Sequence, residues 1–271
     1  MAKGTALAKA GKGTAVVDWE AQMKAAAAMY KGMEQNTGGG KSLSFKAGIM
    51  TFDGAPIKDN AIEVVVLESV FENALYEGSY DADNPHPPIC FAFSGPMVPG
   101  EDPALLEAAM VPHKDSAKPQ NPTCKGCKWN EFGTADTGRG KACKNIRRLA
   151  LLHVDYLKKP ESIAAAPIAF AKIPPTSCGG WAGHVKKIAN VLEKPPFAVV
   201  TKITCRPDAK KQVAVEFEVT GEIKDRSIGS AVFLRHKESH SLLTVPYQAE
   251  TAAAGKKAPA KGAAKKKARK Y

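Results

Sequence analysis

The chain has 271 residues, 44% of them hydrophobic, and a formal net charge of +12, so it can bury a core as one large domain or two modest ones. It has no run of about 18 apolar residues, and its first stretch, MAKGTALAKAGKGTAVV, lacks the apolar centre of a signal peptide; neither a membrane span nor export is expected. A reducing, cytoplasmic setting follows, in which clustered cysteines read as metal ligands before disulfides.

The charge is unevenly spread. Residues 1–17 carry three Lys and no acid, and residues 252–271 carry eight Lys or Arg and no acid. Residues 59–112 hold ten Asp or Glu without one Lys or Arg, whereas residues 124–148 hold seven basic groups against two acidic ones. The polarity predicts a defined phosphate-facing side rather than a uniformly sticky surface. The acidic stretch, with Glu63, Glu68, Glu72, Glu77, Asp81 and Asp83, reads as a solvated face.

In chain order, residues 1–17 read as a disordered basic tail. Residues 18–34 read as a helix capped by Asp18, with Trp19, Met23, Ala26 and Tyr30 on one face, stopped by the glycines at 38–40. Period-two alternation then takes over at Leu43, Phe45 and Ala47, with a turn at Phe52–Pro56 and a strand at Ile62–Leu67. Further strands are expected at Ile89–Phe93, Ile146–Val154 and Ile163–Ile173. A helix should run from Thr176 or Ser177 to about Leu192, and Phe197–Cys205 with Gln212–Thr220 form a hairpin. Ser227–Glu238 reads as a short helix. Residues 251–271, an Ala/Lys/Pro/Gly tract, are too poor in apolar bulk to fold. The expected fold is mainly β (α+β): a barrel-like core over residues 18–250, accessory helices, an insertion at about 112–146, and disordered basic termini.

That insertion carries the chemistry. Cys124-Lys-Gly-Cys127 is a knuckle whose two thiols can grip one ion, and Cys143 closes a loop back to it. Tetrahedral zinc takes four ligands, and His113, Cys90 and His86 are the candidates for the last position. His113 is preferred, because it lies eleven residues before Cys124 in loop sequence. Cys90 falls at the far end from Cys143 if the strands at 89–95 and 146–154 are antiparallel neighbours. Such a zinc is structural: the His-x-Glu and Pro-Cys-x-x-Cys pattern of zinc deaminases is absent. A redox reading of the Cys-x-x-Cys pair lacks its βαβ setting. Cys178 and Cys205 read as small buried residues.

The loop is cationic through Lys125, Lys128, Arg139, Lys141, Lys144, Arg147 and Arg148, and Trp129 and Phe132 interleave with these groups. Tyr76, Tyr80, Phe91 and Phe93 lie on or beside strands and complete a set of rings on which unpaired bases can stack. For Phe91 and Phe93 a place in the core is the competing reading. Gly40-Lys41-Ser42 is no phosphate loop, since a strand rather than a helix follows. Asp208, Glu216 and Glu218 faintly suggest a metal-dependent nuclease and read better as hairpin charges. No helix carries a cluster of base-reading side chains, so single strands are the better expectation.

Met50-Thr-Phe-Asp-Gly54, the strand Ile62–Leu67, Pro87-Pro-Ile-Cys-Phe-Ala92 and, above all, Cys124-x-x-Cys127 with Gly138-Arg-Gly-Lys-Ala-Cys143-Lys-Asn-Ile-Arg-Arg148 resemble phage single-stranded-DNA-binding proteins, over about residues 43–250. The resemblance implies an OB-type barrel with a zinc-binding insertion, zinc held by His113, Cys124, Cys127 and Cys143, and a role in coating and protecting single strands in replication or recombination. It also implies partners among replication or recombination proteins and a site of action in the cytoplasm of an infected bacterium. Two departures stand out: the chain ends in a basic rather than an acidic tail, and the closely spaced cysteine pair comes first rather than last. RNA is an alternative ligand. A nucleic-acid-condensing or virion structural protein is the second functional class, and a metal-dependent nuclease is the third.

Overall fold

Alternation and its breaks set the architecture. The computed structural model describes residues 41–78, 86–96, 102–136, 138–209 and 211–247. The expected basic tails, the helix at 18–34, Tyr80, Asp81 and Asp83 lie outside the described residues. The strands are β1 (Lys41–Lys46), β2 (Ile49–Phe52), β3 (Ala55–Pro56), β4 (Ala61–Leu75), β5 (Cys90–Phe93), β6 (Lys144–His153), β7 (Ala169–Ile173), β8 (Val199–Asp208) and β9 (Gln212–Glu222). The helices are α1 (Pro103–Ala108), α2 (Pro160–Ala165), α3 (Pro175–Lys187) and α4 (Arg226–Leu243). One sheet runs β3-β2-β1-β7-β6-β4-β8-β9, with β5 paired to β4. Only β1 and β7 pair parallel; every other ladder is antiparallel. The protein is thus α+β, with a strongly curled half-barrel sheet.

The curl is visible in packing. Leu43 and Met50 from one side of the sheet and Val213 and Val215 from the other join a single buried cluster, so that face is the concave one. The β1–β2 turn reaches the end of β8. There Gly48 (φ +77°) lies so close that an added Cβ would meet the Pro207 ring at 2.5 Å. Both its backbone angle and its neighbour therefore demand glycine. Trp181 of α3, 3% exposed, fills the concave side and donates its indole N–H to Ser69 Oγ at 3.1 Å. The convex side carries a second cluster: Val65, Leu67, Val70, Ala150 and Leu152 against Ile163, Ile228 and Val232.

β4 explains why its sequence alternates poorly. Val64 and Val66 serve the concave cluster, Val65 and Leu67 the convex one, so a strand covered on both faces reads as a continuous apolar run. A register shift between Val66 and Glu68 then changes phase, and the strand continues to Leu75 rather than ending at Leu67. The expected strand Ile163–Ile173 is instead the short helix α2 followed by β7. Pro160 starts the helix at its first turn, and Ala166 leaves it in extended geometry ahead of Pro167. The helix expected from Ser227 runs on to Leu243, with the Asp225 side chain accepting from Ser227 N and Ile228 N.

Candidate nucleic-acid interface and cysteine cavity

The insertion between β5 and β6 is built mostly from turns. Cys124 N donates to Met110 O (2.8 Å), and Asn130 N donates to Cys127 O (2.9 Å). Gly126, at φ +77°, supplies the left-handed residue that turns the knuckle between the two cysteines. Cys143 N then donates to Trp129 O at 2.9 Å, returning the chain to β6. Side-chain amides fix this loop to the sheet. Asn145 Nδ2 donates to Asn73 Oδ1 (2.6 Å) and to Asn130 Oδ1 (2.9 Å), and Asn130 Nδ2 donates to Cys124 O (3.2 Å).

Four cysteines meet here. Cys90, Cys124, Cys127 and Cys143 line one cavity of about 20 Å³ with Asn73, Leu75 and Trp129. All are free thiols. Burial, followed by the charges of Cys124, Cys90 and Cys127, pushes Cys143 up to about 12. Burial likewise raises Cys90 and Cys124, the latter against a hydrogen bond from Asn73. Among the described residues, no group of three or more His, Cys, Asp or Glu has the geometry to hold a metal ion as it stands. The cysteines line a common cavity without forming a closed coordination shell. Their donor set fits a thiophilic divalent cation, whose charge favours the thiolate form that burial opposes.

His113 stands apart from this group. Its N–H donates to Phe91 O at 2.7 Å, and its ring stacks on Phe91 with centroids 5.0 Å apart. Its Nδ1 accepts from Asp115 N at 3.2 Å. The strand orientation expected for β5 and β6 is also corrected. Both lie antiparallel to β4, on its two sides, and so run parallel to each other. Leu75 pairs with Cys90 and Ala74 with Lys144, which brings Cys90 and Cys143 to the same end of the sheet.

The cationic residues divide into two sets. Lys125, Lys128, Arg139 and Lys144 are exposed on the loop and at its exit. Lys128 Nζ lies 4.7 Å from the Trp129 ring, and Lys141 Nζ lies 5.1 Å from the ring of Phe132, which is 81% exposed. Trp129 Nε1 donates to Gln120 Oε1 at 2.9 Å, fixing that ring. Arg147, on the concave side, lays its guanidinium 3.3 Å from the centre of Phe71, and burial lowers its pKa. Among the described residues it forms no ion pair with a carboxylate.

Arg148 is different. It donates to both oxygens of Glu72, which is 0% exposed, and to Leu243 O at 2.9 Å. Tyr247 also donates to Glu72, and Lys172 Nζ donates to the Tyr247 hydroxyl at 2.5 Å. Burial, then the charge of Glu72, raises the Tyr247 phenol and keeps it a donor. Arg148 is thus spent on a buried carboxylate. Glu72 corrects the expectation of a solvated acidic face: it is buried and Glu68 is half-buried, while Glu63 and Glu77 are exposed as expected.

The expected stacking rings divide as well. Phe91 is 2% exposed and belongs to the core, so it is unavailable to bases. Phe93 is half-buried under Arg148, 4.4 Å from its guanidinium. Tyr76 packs near His86, with ring centroids 6.2 Å apart. Phe71 and the amide chain went unread in the sequence, and Cys90, weighed as a fourth ligand, was set at the wrong end of the sheet. Two of the hairpin carboxylates are occupied locally: Glu216 accepts from Arg206 Nε at 2.8 Å, and Asp208 accepts from Lys211 N at 2.8 Å. A larger groove of about 520 Å³ lies at the opposite end of β4 and β6. Lys41, Glu63, His153 and Asp155 give it mixed charge. Comparison with protein-family models, curated proteins and solved structures finds no match for this chain.

Proposed function

We propose that the protein binds single-stranded DNA through the cysteine loop and the adjoining end of the half-barrel, in the manner of the phage proteins it resembles. On this reading the half-barrel is OB-like and the loop is its ligand-binding insertion. The observation that carries the proposal is Phe132, 81% exposed on a hydrogen-bonded loop with a lysine over its ring. A large ring held in water costs free energy and is free to stack on a base, while Lys141, Lys128 and Arg139 take the flanking phosphates. Trp129 under Lys128 and Phe71 under Arg147 repeat the pairing of ring and cation nearby. Zinc, held by Cys124, Cys127 and Cys143, supplies cross-linking rather than catalysis, and the chain binds without chemical turnover.

The test is fluorescence anisotropy of the full chain with labelled single- and double-stranded oligonucleotides across a salt series. Preference for single strands, with a loss of about 1–3 kcal/mol on Phe132→Ala, supports the reading. Equal affinity for both, untouched by Phe132→Ala, would transfer binding to the lysine-rich ends of the sequence and favour a condensing or structural protein.

A further inference from the structure

We propose that Cys90 is the fourth ligand of the metal taken up by Cys124, Cys127 and Cys143, making a four-thiolate site for a soft divalent cation such as zinc. The inference rests on the metal reading above and deepens it.

Three observations carry it. Cys90 lines the same cavity as the other three cysteines. The register then fixes its side. Cys90 pairs with Leu75, and Cys143 immediately precedes Lys144, the partner of Ala74, so the two cysteines flank Leu75 from opposite neighbouring strands. Asn73 and Leu75 share one face of β4, the face that holds the asparagine chain and the knuckle. Third, His113 keeps company with Phe91, the next residue after Cys90, and adjacent strand residues point to opposite faces. Phe91 contacts Tyr247 on the convex side, and the imidazole stacked on it is not among the residues that line the cysteine cavity. Metal uptake therefore draws four thiols inward around the cavity and ties the loop to β5 as well as to β6. Each thiol that is still protonated gives up its proton to solvent on binding, with no change of oxidation state.

The full chain, prepared without metal, is titrated with Co²⁺ and then with Zn²⁺, and its thiolate-to-cobalt absorption is recorded. One ion per chain is expected, with four-thiolate intensity. Cys90→Ser should lose about one quarter of that intensity and weaken zinc binding by about tenfold or more, while His113→Gln changes neither. Loss of metal on His113→Gln, with Cys90→Ser unaffected, overturns the assignment. Should Cys90→Ser fail to fold, the ¹¹³Cd chemical shift of the unmutated chain decides: a four-sulfur value supports Cys90, and a three-sulfur, one-nitrogen value refutes it. A chain that takes up no stoichiometric metal overturns both this inference and the zinc reading. A four-thiolate site in a chain indifferent to single-stranded DNA overturns the binding function alone.

Discussion

At the end of the β4–β6 ladder that adjoins the insertion, the two faces of the sheet hold cations in different ways. On the convex face Arg148 and Lys172 surround the buried Glu72 and the Tyr247 hydroxyl, so the Arg148 charge is matched by a carboxylate within the fold. On the concave face Arg147 rests on the Phe71 ring, with no carboxylate in ion-pair contact among the described residues. The two arginines are sequence neighbours, and strand geometry alone sends them to opposite faces. Equal charge on paper therefore becomes a structural cation on one side and an available cation on the other.

The comparison can be broken most sharply at Glu72. Glu72→Gln removes the carboxylate from beneath Arg148 and Lys172 and leaves the mostly buried Arg148 guanidinium unneutralised. A loss of about 3–5 kcal/mol in urea unfolding is expected. Arg147→Ala should cost the fold no more than about 1–2 kcal/mol, because its ring contact is half-solvated. The same variant should weaken single-stranded-DNA binding and flatten the log–log salt dependence by about one phosphate contact. An Arg147→Ala chain as unstable as Glu72→Gln, with an unchanged salt slope, would erase the distinction between the faces. The smallest effect belongs to His184, which is buried on the concave side against Thr201 Oγ1 at 3.1 Å. Burial, then Lys187, lowers its pKa from 6.5. Below that value the unfolded chain binds a proton that the folded chain refuses, so stability falls as pH drops through 6.5. Thermal unfolding of His184→Asn should show a shallower decline between about pH 6.5 and 5.

Residue pattern revealed the sheet better than the site. Alternation at Leu43–Ala47 and the hairpin around Arg206–Lys211 correspond to β1 and to β8–β9. Where alternation changed phase, at the shift between Val66 and Glu68, the reading lost Glu72, because a carboxylate in period two with other acids looks solvated until its partners are known. Arg148 lies 76 residues away in sequence, and Tyr247 lies 175 away, distances that no local pattern spans. The knuckle was legible because Cys124, Gly126 and Cys127 are local. Cys90 was misplaced for one reason: β5 and β6 are both partners of β4 rather than of each other, and pairing order is a property of the whole sheet.

The chain of asparagine amides has a consequence for how binding is measured. Asn73, Asn145 and Asn130 hold the insertion against the sheet through uncharged dipoles, at 2.6 and 2.9 Å. Ionic strength screens separated charges, yet it has little purchase on a short contact between neutral groups. Added salt therefore weakens counterion-driven contacts, such as those of the proposed strand, without slackening this attachment of the loop. Under the proposed function, a salt titration counts phosphates, and the platform on which they are counted keeps its shape.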